Sequence, residues 1–135
     1  MSPRKKKTTS KSAWPTESEQ EILQILWKLK SATVREVHDV LTEIRDVRYT
    51  TVLKQMQIMF EKNLVVRDET QRSHIYRARQ KAETTQRQLV GDFMTRVFGG
   101  AADKLVMQAL NSKKTSPEEI ANIRKLLDKL EEKQK

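Results

Sequence analysis

Thr50, Thr51, Lys54, Gln57, Ile58 and Glu61 fall on one side of a segment whose other side carries Val52, Leu53, Met56, Met59 and Phe60, when successive residues are set about 100° apart as in an α-helix. The apolar side is a core face, and Gln55 lies at the flank of the polar one. The first turns of the polar face hold hydroxyls, an amide and an ammonium, and its acid comes last. Such groups read base edges in a major groove: threonine methyls meet thymine methyls, glutamine bridges adenine, and lysine reaches guanine or phosphate. Any solvated helix could show the same face, so the surrounding elements have to decide.

Caps and periodicity outline those elements. Thr16 and Glu19 form a capping-box pattern ahead of Ile22, Leu23, Ile25, Leu26 and Leu29, which share one helical face. Thr33 and Glu36 repeat the pattern ahead of Val34, Val37, Val40, Leu41 and Ile44. A polar connection over 45–48 leads to the third helix, at about 49–62, for which Thr50 and Thr51 are candidate caps. Leu64-Val65-Val66-Arg67 and His74-Ile75-Tyr76-Arg77 are β-prone and flank a polar turn without glycine, while Ala32-Thr33 offers a minimal third strand. Three helices and then a two-stranded ribbon is the order of a winged helix-turn-helix, so the expected fold class is mainly α with a small β-wing.

The wing presents Arg67, Arg72, Arg77 and Arg79. Arg72, at the turn, is the foremost candidate for a phosphate or minor-groove contact, and Arg77 and Arg79 share a strand face. The alternative is ordinary solubility charge offset by Asp68 and Glu69. Tyr49 either lies against a nucleic-acid backbone or packs at the start of the third helix.

Beyond Thr84 the helical period returns. Leu89, Val90, Phe93, Met94, Val97 and Phe98 form a stripe that stops at Gly99-Gly100, and Ala101, Ala102, Leu105, Val106, Ala109 and Leu110 form a second. Ser116, Pro117 and Glu119 then open a last helix carrying Ile120, Ile123, Leu126, Leu127 and Leu130. About fifty residues are near the limit at which a segment is stable alone, so a partner is implied, and an identical chain is the simplest. Leu89, Phe93, Val97, Leu105, Ile123, Leu127 and Leu130 are therefore the expected dimerisation residues of a homodimer. The alternative is a monomer in which these helices pack back on the preceding domain. The expected organisation is a basic disordered tail over 1–13, a winged-helix domain over 14–82 and a helical dimerisation domain over 83–135.

The formal charge of +9 is concentrated in a leader where Arg4, Lys5, Lys6, Lys7 and Lys11 stand without an acid. A leader of that kind attracts polyanions without sequence preference, and its plainer reading is a solvated terminus. With no cysteine and two distant histidines, His38 and His74, no metal site is expected. The three glycines make no phosphate-cradling loop and no nucleophile adjoins a histidine, so neither catalysis nor a cofactor is expected. No apolar run has the ~20 residues of a membrane span, and the leader lacks a signal peptide's apolar core, so a cytoplasmic protein without membrane insertion is expected.

Thr16 to Trp27 (TESEQEILQILW), Tyr49-Thr50-Thr51-Val52, Glu61-Lys62-Asn63-Leu64-Val65 and Phe98-Gly99-Gly100 resemble the BlaI/MecI family of penicillinase repressors, over a span from about Pro15 to the C-terminus. The resemblance implies an N-terminal winged helix that binds a palindromic double-stranded DNA operator and a C-terminal region that dimerises. It also implies major-groove contacts from Thr50, Thr51, Leu53 and Lys54, whereas the periodicity puts Leu53 at the edge of the core. Family members in antibiotic resistance have a membrane-bound sensor protease as partner, which cuts an Asn-Phe bond. Here the matching positions are Gln108-Ala109, a departure that counts against that partner. Copper-responsive relatives release DNA through C-terminal cysteines, which this chain lacks. Two rival functions remain open at this level: a sequence-independent architectural DNA-binding protein, and a winged helix used as a protein–protein module.

Overall fold

The computed structural model describes residues 14–135; the basic leader lies outside the described residues. The chain divides into two compact units after Arg87. The first contains α1 (Glu17–Leu29), α2 (Val34–Thr42), α3 (Tyr49–Glu61), β1 (Val65–Asp68) and β2 (Ile75–Ala78), and it ends within α4 (Ala82–Phe98). The second holds the rest of α4, then α5 (Ala102–Ser112) and α6 (Pro117–Lys133).

Both N-terminal capping boxes form as the sequence suggests. Thr16 and Thr33 each accept the backbone N–H of the glutamate three residues on, and that glutamate accepts the N–H of the cap. The third helix differs. It starts one residue before Thr50, with Arg48 at the N-cap and no side-chain cap hydrogen bond, so neither threonine caps it. It ends where Asn63 takes a left-handed conformation (φ 64°) and the Leu64 N–H donates to Met59 O, a Schellman-type stop that turns the chain into β1.

The ribbon is antiparallel, with Val65 opposite Ala78 and Asp68 opposite Ile75, and an isolated bridge joins Ala32 to Tyr76 as the minimal third strand. In place of a glycine, Asp68 shapes the turn: its Oδ1 accepts both the N–H and the hydroxyl of Thr70. Ile22, Leu26, Val37, Leu41, Val52, Met56, Met59, Val65 and Tyr76 are fully buried, so α1, α2, α3 and the ribbon share one core. Trp27 ties the end of the ribbon to α1, its indole N–H donating to Gln80 O at 2.9 Å.

In the second unit, α4 stops at Gly99 and Gly100, both with positive φ, and the Gly100 N–H donates to Met94 O. The Ser116–Glu119 capping box and Pro117 start α6. No residue from Gln88 onward is buried.

Candidate nucleic-acid interface

Burial sorts the third helix into two faces. Val52, Met56 and Met59 are buried, with Leu53 and Phe60 partly buried against the same core. Thr50, Thr51, Lys54, Gln57, Ile58 and Glu61 are exposed, and Gln55 is half-buried at the flank. Leu53 thus belongs to the core edge, beside the exposed face.

The helix is held at both ends by residues from the two helices before it. At its C-terminal end Lys62 Nζ donates to Glu19 Oε1 at 2.7 Å, the same oxygen that accepts the Thr16 N–H. Glu19 is buried and Lys62 nearly so, which makes this the least hydrated ion pair among the described residues. At the N-terminal end the His38 Nε2–H donates to Val47 O at 2.9 Å. The Tyr49 ring packs edge-on against His38, with the Arg35 guanidinium over its face at 5.3 Å. Tyr49 is therefore engaged by α2 and keeps 37 % of its surface exposed.

Three cations among the described residues of the first unit have acid partners. Arg45 pairs with Glu21, Lys62 with Glu19, and Arg67 with Glu69. Arg67 also lies 3.9 Å from the centre of the Phe60 ring and donates to the Tyr76 hydroxyl. The Tyr76 hydroxyl and, after it, the Glu69 carboxylate hold its guanidinium pKa above the ordinary value. This arginine, grouped with the other wing arginines by sequence, is a fastener between ribbon and helix. Lys54, Arg72, Arg77 and Arg79 are exposed and enter no salt bridge among the described residues. Arg72 sits in the turn of the ribbon, and Arg77 is paired with Val66 in the register.

In the second unit Leu89, Leu105 and Ile123 are half-buried, while Phe93, Val97, Leu127 and Leu130 are exposed together with Val90, Val106, Met107, Leu110, Ile120 and Leu126. Phe93 and Phe98 pack edge to face. Gln108 and Ala109 are exposed on α5. Among the described residues no cluster of potential metal ligands is present, and no helix is long and apolar enough to cross a membrane.

The fasteners were hidden from sequence reasoning for different reasons. Glu19 was legible as a capping residue, but its partner is far along the chain. His38 carried no periodic signal beyond its place on α2. Arg67 and Phe60 are close only because the Schellman turn folds β1 back on α3.

Three helices with an antiparallel ribbon behind them, the last helix exposing a polar face, define a winged helix-turn-helix. A model of the penicillinase repressor family matches residues 15–129, and the chain belongs to that family. Over 59 residues it is 39% identical to the transcriptional regulator BlaI of two strains of Mycobacterium tuberculosis, CDC 1551 / Oshkosh and H37Rv, a match covering 43% of this chain and 43% of each relative. The match thus spans less than half the length of those curated relatives. The penicillinase repressor of Staphylococcus aureus is 19% identical over 116 residues, 86% of this chain and 92% of that protein. These relatives are named as regulators and a repressor.

Proposed function

We propose that this protein is a sequence-specific transcriptional repressor that binds a palindromic operator as a homodimer. In this reading α3 enters the major groove with Thr50, Thr51 and Lys54 at the bases and Gln55 at the margin, while Arg72 and Arg77 of the wing meet the flanking backbone. The observation that carries it is the group of cations on the outward face of α3 and the wing: Lys54, Arg72, Arg77 and Arg79 are exposed there and enter no salt bridge among the described residues. A face of this kind suits a polyanion, and its threonines and amides suit base edges. Membership of the penicillinase repressor family supports the same reading.

The second unit supports the dimer. Ten large apolar side chains between Val90 and Leu130 are exposed, and no residue there is buried. A surface of that kind calls for a partner, and two-fold self-association covers it with one repeated patch. Two recognition helices would then read half-sites about 10 base pairs apart or somewhat more. Selection of bound duplexes from a random pool, followed by footprinting, should return a protected inverted repeat; binding with no preferred sequence would leave an architectural role instead. In sedimentation the wild-type chain should be a dimer at micromolar concentration, and Phe93→Glu with Leu127→Lys should shift it toward monomer. A monomeric wild-type chain would refute the assignment of these stripes.

A further inference from the structure

The third helix is the one whose exposed face would read DNA, yet its start has no cap of its own. The first, second and last helices each begin with a complete Thr/Ser–Glu capping box, whereas Arg48 contributes no side-chain hydrogen bond to α3. Side chains of α2 reach that start instead. Arg35 and His38 lie one turn apart on the same face of α2. The Val47 carbonyl can only accept, so the His38 Nε2 that meets it at 2.9 Å carries the proton. Val47 is held twice, with its carbonyl on His38 and its side chain partly buried against the core. Two residues on, the Tyr49 ring meets His38 at 5.7 Å between centroids and 80° between planes, with Arg35 on its face. Tyr49 is the first residue of α3, and Thr50 and Thr51 follow it directly.

We propose that His38 is a positioning residue for sequence reading: through Val47 O and the Tyr49 ring it sets where the first turn of α3, and with it Thr50, Thr51 and Lys54, meets the bases. The proposal rests on the operator-binding reading above. His38 touches no base itself. Its loss should therefore leave non-specific, phosphate-driven affinity intact and remove discrimination, because a base contact is lost with a small displacement while attraction to the phosphates is not.

The test uses the full chain and two duplexes of equal length, one selected from a random pool and one with its sequence scrambled, in fluorescence anisotropy at a single salt concentration. His38→Phe keeps a ring edge against Tyr49 and loses the donor. It should lower affinity for the selected duplex roughly tenfold, the size of one lost base contact, with affinity for the scrambled duplex unchanged. His38→Gln keeps an N–H donor of similar reach and should recover most of the loss. Wild-type discrimination in His38→Phe would overturn the proposal, and so would an equal loss on both duplexes accompanied by a lower melting temperature, the mark of a purely structural role. Should His38→Phe not fold, Tyr49→Leu carries the test: the same selective loss is expected, and an unchanged ratio overturns the proposal. If the wild-type chain itself fails to discriminate, the operator reading falls and the proposal falls with it; if the wild type discriminates and the variants do so equally well, the proposal alone fails.

Discussion

Replacing Glu19 by Ala removes one carboxylate oxygen with two partners, the Thr16 N–H at 2.9 Å and Lys62 Nζ at 2.7 Å. The cap contribution is about 1 kcal/mol, the usual loss when a helix N-terminus gives up a side-chain partner. Taking the partner from a fully buried ion costs about 3–5 kcal/mol. Lys62 is not fully buried; its side chain keeps 18% of its surface exposed, so the ammonium can turn to water and only about 1–2 kcal/mol of that penalty applies. Together these predict a loss of about 2–3 kcal/mol, which lowers the melting temperature of a domain this size by roughly 10–20 °C. Urea unfolding followed by tryptophan fluorescence measures it, because Trp14 and Trp27 both belong to the first unit and Trp27 packs against its core and bonds to Gln80 O. Glu19→Gln keeps an acceptor for the Thr16 N–H and should recover about half of the loss. A cost below about 0.5 kcal/mol for Glu19→Ala, or a double-mutant cycle with Lys62→Met that shows no coupling, would refute the reasoning.

Four further outcomes are expected. Lys30 stands at φ 78° and ψ −51°, a conformation that costs a side-chain-bearing residue about 1 kcal/mol or more; Lys30→Gly should raise the urea midpoint at constant m-value, and an unchanged midpoint would show that no strain is held there. Arg67→Ala removes a guanidinium stacked on Phe60 and should destabilise the first unit by about 1–2 kcal/mol without changing the salt dependence of DNA binding, while Arg72→Ala should do the reverse, reducing the salt slope by about 1 with the melting temperature unchanged. The Asp68 carboxyl is held below the usual carboxylate range by the Thr70 N–H and then its hydroxyl. The turn's stabilisation is accordingly complete above about pH 4, the ordinary value for Asp, and fades as the pH falls through Asp68's own lower midpoint. An NMR carboxyl titration should place that midpoint below the one in the unfolded chain, and a midpoint at or above it would contradict the turn geometry. Glu119 follows the same rule at the start of α6, its carboxyl held low first by the Ser116 N–H, so Glu119→Gln should flatten the acid-induced loss of α6 helicity measured by circular dichroism.

Much of the architecture was written locally. Thr16–Glu19, Thr33–Glu36 and Ser116–Glu119 start helices with bonds that span three residues, and Gly99-Gly100 stops one with a backbone that glycine adopts freely. The two faces of α3 follow from helical periodicity, so the exposure of Thr50, Thr51 and Lys54 could be read before any fold was known. Local signals were weaker where the chain relies on distant partners. The start of α3 near residue 49 is legible, but neither candidate threonine caps it, and the groups that meet Val47 and Tyr49 there, His38 and Arg35, belong to another helix and announce nothing in the sequence around Tyr49. Arg67 and Arg72 are the same residue type on one short ribbon, and only tertiary packing, which brings Phe60 and the Tyr76 hydroxyl to the first, separates a fastener from an exposed cation without an acid partner among the described residues. The sequence by itself determined which residues could be helix, core and polar face, because caps and periods act over a few residues. The tertiary structure decided which charges are already satisfied, because that depends on distances between residues far apart in the chain.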